Sequence, residues 1–321
     1  MLFAGTVRKL ISSDYLKIKN KGLNMSINNW KDVLTKLSEI REKGDYSPAN
    51  VQFILEHLKS PDDRIRGAAA LAAHGCIFEP YILDTLIELI ENDSNNAIRK
   101  AAIKAMENLI YEGILQNFED EMGSGPELEF YEEWDEVQTE SLREDYLRVK
   151  NLFLNIIEDE FEDVELRETA LIALSDLGFL EVVREWIKDF IESERVSTQR
   201  AALKAMGKFP HYWINEIQRF LDLSKDKTLV LEAISSSYSS NSKVLAQQIE
   251  QLLTSNDEDI LCYALLTLGN INKTENLGEI LQQFSLHPNE KVRKAAREAL
   301  ENFSKKSFND FLHDKLGYKE E

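Results

Sequence analysis

Apolar and small residues recur along this chain at the spacing of one helical face. In the segment IRKAAIKAMENL, the residues that share this face are Ile98, Ala102, Ala105, Met106 and Leu109. Close copies of the segment, RIRGAAALAA and KVRKAAREAL, begin at Arg64 and Lys291. The pattern therefore predicts an amphipathic helix that the chain repeats several times.

One alanine occupies the same position in every copy of this helix. The alanines are Ala69, Ala102, Ala170, Ala202, Ala233, Ala264 and Ala296, at intervals of 33, 68, 32, 31, 31 and 32 residues. A small side chain lets neighbouring helices approach closely, so we expect the alanines to face the core. Positions two residues before and after each alanine lie ~160–200° away around the helix and are expected to face solvent.

A second amphipathic run precedes each copy, as in EPYILDTLIELIEN, LEVVREWIKDFIES and ENLGEILQQFSL. Short polar segments separate the two runs: SPDD at 60–63, NDSNN at 92–96, SND at 255–257 and HPNE at 287–290. Their Ser, Asp and Asn side chains are expected to cap the following helix. No segment has a strand pattern. A single helical hairpin cannot bury its apolar face alone, so about seven stacked hairpins predict an all-α solenoid.

The segments PDDRIRGAAALA, NNAIRKAAIKAM, EDVELRETALIAL and NEKVRKAAREAL resemble HEAT repeats, in the short-period form found in phycobilin lyases and in bacterial scaffold proteins. The resemblance covers roughly residues 48–303. It implies a right-handed, armadillo-like superhelix whose second helices line a concave groove. It also implies a structural ladder between repeats in which Arg66, Arg99, Arg167 and Arg293 pair with turn acids. Gln199, Val230 and Leu261 occupy that position in the other repeats, so we expect the ladder to be interrupted there.

The predicted solenoid is one continuous domain over residues 26–321, capped by INNWKDVLTKLSEIREKG at its start and by a helix at about 305–317. Residues 1–25 differ in charge from the rest, with five bases and one acid before Met25. We interpret this segment as a basic arm, or as sequence that precedes a true start at Met25.

The 68-residue interval between Ala102 and Ala170 departs from the repeat. Residues 112–140 hold eleven acids and no Lys or Arg, which predicts an acidic insert, with helix resuming at Ser141 as its cap. A degenerate repeat is the alternative, since two periods would fill the interval. The insert contains aromatic residues, including Phe118, that could either contact a partner or attach the insert to its own solenoid. The candidates for contact with a partner are Phe130, Tyr131 and Trp134.

Two basic pairs lie at the predicted solvent-facing positions on either side of the insert. They are Lys100 with Lys104, and Arg200 with Lys204. One hypothesis is that the acidic insert folds across the groove against these four side chains as a lid. The alternative is that they belong to ordinary solvated helix faces.

The formal net charge of −19 disfavours binding to nucleic acid and to anionic membranes. A protein partner that is basic, or that binds through a neutral apolar groove, fits this charge better. No apolar run approaches the ~20 residues of a membrane span. Cys76 and Cys262 are predicted to be buried free thiols, as suits a cytoplasmic protein. We expect a monomer, with an oligomer left open.

No catalytic constellation is present in the sequence. None of the five histidines precedes a glutamate, which excludes the iron-binding His-Glu pairs of deoxyhypusine hydroxylase, a HEAT-like enzyme. No H-x-x-x-H, C-x-x-C or phosphate-loop motif occurs, so we assign no catalytic residue, metal or cofactor. The expected function is a non-catalytic protein-binding scaffold or adaptor that uses the concave groove and is modulated by the insert.

Two alternatives to a scaffold come from enzymes built on similar repeats. A phycobilin-lyase-like or other protein-modifying component is the first. A HEAT-like DNA glycosylase is the second, and it would use aromatic residues such as Trp186 and Trp213, but the net charge opposes it.

Overall fold

The structure is a computed structural model that describes residues 30–119, 136–271 and 276–316, without the side chains at 80, 136–139 and 306–316. The chain divides into two compact units, Met1–Leu177 and Gly178–Glu321, and each is considered by itself below. A single continuous solenoid therefore stays a prediction.

The described part of the first unit consists of one leading helix and three helical hairpins. The helices are α1 (Trp30–Lys43), α2 (Pro48–Leu58), α3 (Asp63–Ala72), α4 (Pro80–Asn92), α5 (Asn96–Leu115), α6 (Glu136–Glu158) and α7 (Val164–Ala173). The second helices α3, α5 and α7 pack side by side, and α1 packs on α3. The predicted N-terminal cap therefore corresponds to α1.

The described part of the second unit consists of four further hairpins. The helices are α8 (Glu181–Ile191), α9 (Val196–Met206), α10 (Ile214–Gln218), α11 (Lys227–Ser236), α12 (Lys243–Gln251), α13 (Glu258–Ile271), α14 (Leu277–Phe284) and α15 (Glu290–Leu316). The second helices α9, α11, α13 and α15 pack in that order. Every described element in both units is helical, which confirms the all-α repeat architecture.

The turn residues cap the second helices as their chemistry predicts. The Asp62 carboxylate accepts from the Arg64 N–H at 2.9 Å, and the Asn95 side chain accepts from Ala97 at 2.9 Å. Asp257 and Asn289 do the same at the starts of α13 and α15, at 2.9 and 2.7 Å. Each cap satisfies an amide that has no partner within its helix.

The alanines that mark the repeat all have fully buried side chains: Ala69, Ala102, Ala170, Ala202, Ala233, Ala264 and Ala296. Each second helix therefore presents a small residue to its neighbours, as expected. At Gly269 the approach is closer still, because an added Cβ would lie 2.8 Å from the Ala299 Cα on the next second helix. The spacing of the stack thus depends on small residues in the second helices.

The long interval between Ala102 and Ala170 does not hold another hairpin in the described residues. The helices that carry these alanines, α5 and α7, pack directly on each other. The alternative of a degenerate repeat is therefore wrong at this place. The additional residues belong to the lengthened helices α5 and α6 and to the connection between them.

Three predicted helix boundaries differ from the structure. Helix α6 begins at Glu136, so Ser141 lies inside the helix and does not cap it, and α5 continues to Leu115 into the predicted insert. The residues of the predicted capping helix at about 305–317 are helical as far as Leu316, but they continue α15, which begins at Glu290. No Gly or Pro lies near Ser141 or near residue 305, so α6 and α15 continue through these positions, while α5 continues past Gly113.

Candidate partner-binding surface

The positions two residues before and after the buried alanines form what we call the second-helix surface of each unit. These positions are half-buried or exposed in every hairpin, with the exception of Glu168 on α7, whose side chain is only 8% exposed. A helical wheel gives only the direction in which a side chain leaves its helix. It does not show that neighbouring parts of the chain cover Glu168. The expected solvent-facing surface is therefore present on the other second helices but not around Glu168.

A shallow groove of about 300 Å³ lies on this surface in the first unit, between α3 and α5. Its walls are mainly apolar and small, and its lining residues are Asp63, Arg64, Gly67, Ala68, Leu71, Asn95, Ala97, Ile98 and Ala101. At Gly67 an added Cβ would meet only Ile98 Cγ1, at 3.7 Å, so the groove has room for a methyl group at this position but not for a long side chain. The groove thus offers an apolar trough with polar groups at one end.

The two lysines of the first unit differ in their surroundings. Lys100 pairs with Glu165 of the next hairpin, and its side chain is 27% exposed. Lys104, one turn further along α5, is exposed. Of the two, Lys104 is the side chain that presents its charge to solvent.

The basic pair of the second unit surrounds a carboxylate. Arg200 Nε lies 3.4 Å from Glu232 Oε2, and Lys204 is exposed one turn further along α9. Burial raises the pKa of Glu232, while the charges of Arg200 and Lys204 oppose that shift. The pair therefore belongs to a mixed-charge patch around Glu232.

Two arginines of the predicted ladder link consecutive hairpins. Arg66 donates to both carboxylate oxygens of Asp93, at 2.7 and 3.1 Å. Arg99 donates to both oxygens of Glu162, at 2.8 and 2.5 Å, and its Nε donates to the Ile90 carbonyl at 2.6 Å. Such two-pronged contacts orient as well as attract, which holds adjacent turns in register.

The other two arginines bond to nearby backbone carbonyls. Arg167 Nε donates to the Ile157 carbonyl at 2.8 Å. Arg293 donates to the carbonyls of His287 and Pro288, at 2.8 and 2.7 Å. In these hairpins the arginine contacts the end of the first helix or the turn.

A second set of polar contacts, which sequence reasoning missed, joins the starts of the second helices. Asn95 donates to Asp63 at 2.8 Å in the first unit. In the second unit, Asp259 accepts from Lys227 at 2.9 Å and from Lys291 at 2.8 Å. The two residues of each pair are 32 positions apart, which is the period of the repeat. This spacing is the feature of the sequence from which the contacts could have been predicted. Lysine–aspartate contacts thus join the hairpins that carry Val230 and Leu261, where the arginine position is lost, to each other and to the last hairpin.

The predicted insert falls partly outside the described residues. Phe130, Tyr131 and Trp134 lie in that undescribed stretch, and so does most of the proposed lid. At its near end, Phe118 packs against the Tyr146 ring with centroids 5.7 Å apart, and Glu119 accepts from the Tyr146 hydroxyl at 2.5 Å. Lys150 also pairs with Glu119. The entry to the insert is therefore attached to α6.

The two cysteines and the two tryptophans named from the sequence differ in burial. Cys76 and Cys262 are both free, but only Cys76 is buried, and burial raises its pKa to about 12. Cys262 is half-buried because it faces the second-helix surface. Trp213 is a core residue and Trp186 is half-buried. None of the described helices is both long enough and apolar enough to cross a membrane.

Taken together, the stacked hairpins define an α-helical repeat protein of the solenoid class, with an open surface of second helices in each unit. No protein-family model matches the chain. No curated protein matches it either.

Several solved structures share the repeat architecture. The complex of CpcE and CpcF of phycocyanin lyase from Nostoc sp. PCC7120 is similar at 16% identity and a TM-score of 0.44, over 78% of this chain and 94% of that one. Kap121p bound to Pho4p is similar at 14% and 0.41, over 88% and 43% of the two chains. A designed armadillo repeat protein is similar at 17% and 0.32, over 78% and 98%. These likenesses carry no argument about function.

Proposed function

We propose that this protein is a non-catalytic scaffold or adaptor that binds a protein partner through its second-helix surface. The groove between α3 and α5 supports this proposal most directly. Its walls are mainly apolar and small, and it is shallow, which suits side chains presented by the surface of another polypeptide. Sites for small molecules are instead deep enough to bury most of the ligand surface.

The partner in this proposal is basic. The chain has a net charge of −19, which would attract a basic protein at long range and speed their association. The acidic insert, with Phe130, Tyr131 and Trp134, would modulate access to the surface. The exposed Lys104, Arg200 and Lys204 would contact acidic positions of the partner.

Affinity capture from native extract tests the role of the groove. The baits are the full chain and two variants that place a long side chain in the groove, Gly67→Arg and Ala97→Arg. Gln247→Arg is the matched control, because it adds the same charge at an exposed position of α12. A partner that both groove variants lose and the control retains supports the proposal. Identical capture by all four baits contradicts it.

A separate bait tests the insert. A Gly/Ser linker replaces residues 120–135 only, because Phe118 and Glu119 are attached to α6 and Glu136 begins that helix. Proteins lost with this bait would make the insert a recognition element, and proteins gained would make it a lid. An unchanged list would remove the insert from the proposal.

Co-expression with bilin synthesis separates the scaffold from a phycobilin-lyase-like activity. A scaffold is expected to purify without visible absorbance under these conditions. A bilin that copurifies with the protein and gives it visible absorbance, or that the protein transfers to an acceptor protein, would overturn the non-catalytic proposal.

A further inference from the structure

Trp30, the first described residue, lies beside the groove between α3 and α5. Its ring centre is 4.2 Å from the guanidinium carbon of Arg64, which lines the groove. Asp62 holds Arg64 in place by accepting from its Nε at 3.0 Å and from its Nη2 at 2.6 Å. A cation over an indole ring is a favourable contact. The N-terminal segment, residues 1–29, therefore joins the fold at the edge of the groove.

The composition of the N-terminal segment matches what the groove would bind. Its apolar residues include Leu2, Phe3, Val7, Leu10, Ile11, Leu16 and Ile18. Five bases and one acid precede Met25, in a chain whose net charge is −19. The groove supplies apolar walls from Leu71 and Ile98. At its polar end the Asp63 side chain pairs with Arg66 and accepts from Asn95, and it is still 54% exposed.

We propose that residues 1–29 bind in the groove between α3 and α5 and compete there with the partner. This inference rests on the proposed function, since it takes the same groove as the binding surface. A segment of this length spans tens of ångströms when extended, at roughly 3.3 Å per residue, and so can follow the whole groove. Its attachment at Trp30 gives an effective concentration on the order of millimolar, so a partner in solution competes only if it binds the groove more tightly than the segment does.

Photo-crosslinking in the full-length chain tests the proposal. Benzoylphenylalanine replaces Phe3 in one protein and Ile11 in another, and mass spectrometry maps the sites to which each attaches. The expected sites are in 64–71 and 97–101, on the two walls of the groove. Gly67→Arg and Ala97→Arg should each lower the yield at these sites about tenfold, which corresponds to ~1.4 kcal/mol. Gly67→Ala leaves the groove open and should leave the yield unchanged.

Crosslinks that avoid both walls, or that persist unchanged in both arginine variants, would overturn the proposal. Circular dichroism of each variant checks that it is folded, and Ala97 is an exposed position where a longer side chain displaces nothing buried. Mixing ¹⁵N-labelled with unlabelled chains separates the occupants, because crosslinks between the two isotopic forms would mean that a second copy fills the groove. That result would also overturn the proposal.

The two proposals can fail separately. If the groove variants lose the captured partner but the crosslinks lie elsewhere, only the intramolecular inference fails. If the groove variants change neither capture nor crosslinking, both proposals fail. If the inference holds, the groove variants lose the crosslinks whatever happens to capture of the partner.

Discussion

Arg99 and Glu162 are 63 residues apart in the sequence, yet the guanidinium of Arg99 donates to both carboxylate oxygens of Glu162. Arg99 lies on α5, before the acidic insert, and Glu162 lies in the turn that precedes α7. The pair therefore joins two neighbouring hairpins whose connection along the chain is the longest in the described repeats. The Lys100–Glu165 pair lies beside it. The repeat continues across the insert because these contacts bring α5 and α7 together.

Arg99→Ala is expected to destabilise the junction between α5 and α7 by about 2 kcal/mol, since both side chains are under one-fifth exposed and Glu162 would lose charged hydrogen bonds. Hydrogen exchange of the amides in α5 and α7 measures this loss locally. Arg219→Ala is the control, because the Arg219–Glu192 pair is 53% and 62% exposed. Equal effects of the two substitutions on their own units would contradict this account.

Gly269→Ala should destabilise the second unit, because the new Cβ would lie 2.7 Å from the Ala299 carbonyl oxygen. Backbone atoms cannot rotate away, so α13 and α15 must separate, at a cost of about 1–3 kcal/mol. Gly67→Ala is the matched substitution, as its Cβ meets only a side-chain carbon at 3.7 Å. The better helix propensity of alanine should make Gly67→Ala stabilising by about 0.5–1 kcal/mol. Chemical denaturation of both variants would show opposite signs, and a stable Gly269→Ala protein would refute the close packing.

The parts of the fold that were predictable from sequence depend on local and repeated requirements. Close packing of second helices demands a small residue in every hairpin, so the alanine position is periodic and visible. Capping acts within three residues, so Asp62 and Asn289 are recognisable as N-caps from their neighbours alone.

Other features depend on partners that are distant in sequence. The contact of Arg99 with Glu162 crosses an irregular interval, so no fixed spacing reveals it. The contacts of Asp259 with Lys227 and Lys291 do follow the period of the repeat. Because this position holds lysine in one hairpin and aspartate in the next, a search for one residue type does not find the pattern. The groove lies where Gly67 of one hairpin faces Ile98 of the next, and this pairing of hairpins is not a property of either segment. Glu168 has the predicted direction, yet its burial depends on what covers it.

His74 is expected to make the first unit less stable as the pH falls from 7.5 to 5.5. Burial lowers its pKa from the ordinary value of 6.5, and the charge of Arg41 lowers it further. The unfolded chain therefore binds a proton at a pH at which the folded chain does not, and stability decreases as the pH falls through 6.5.

Denaturant titrations at several pH values in this range test the role of His74. His74→Gln should reduce the pH dependence, while its baseline effect is measured at pH 8, where His74 is neutral in both states. Asn108 donates to His74 Nε2 at 2.7 Å, so some loss of stability at every pH is expected from the substitution. An unchanged slope between pH 7.5 and 5.5 would show that His74 is not its source.

Asp259 is expected to titrate with a pKa of about 2, because it accepts hydrogen bonds from Lys291 and Lys227 and lies near both charges. Carbon-detected NMR of the side-chain carboxyl group can measure this pKa in the full chain. Lys291→Ala should raise it toward the ordinary value of 3.8, Lys227→Ala should raise it less, and the double variant should raise it most. Added salt should reduce the difference between the variants, since all three side chains are exposed enough to be screened. A pKa near 3.8 in the unmodified chain would mean that the two lysines do not hold Asp259, and the contacts that replace the arginine ladder in the second unit would then be absent in solution.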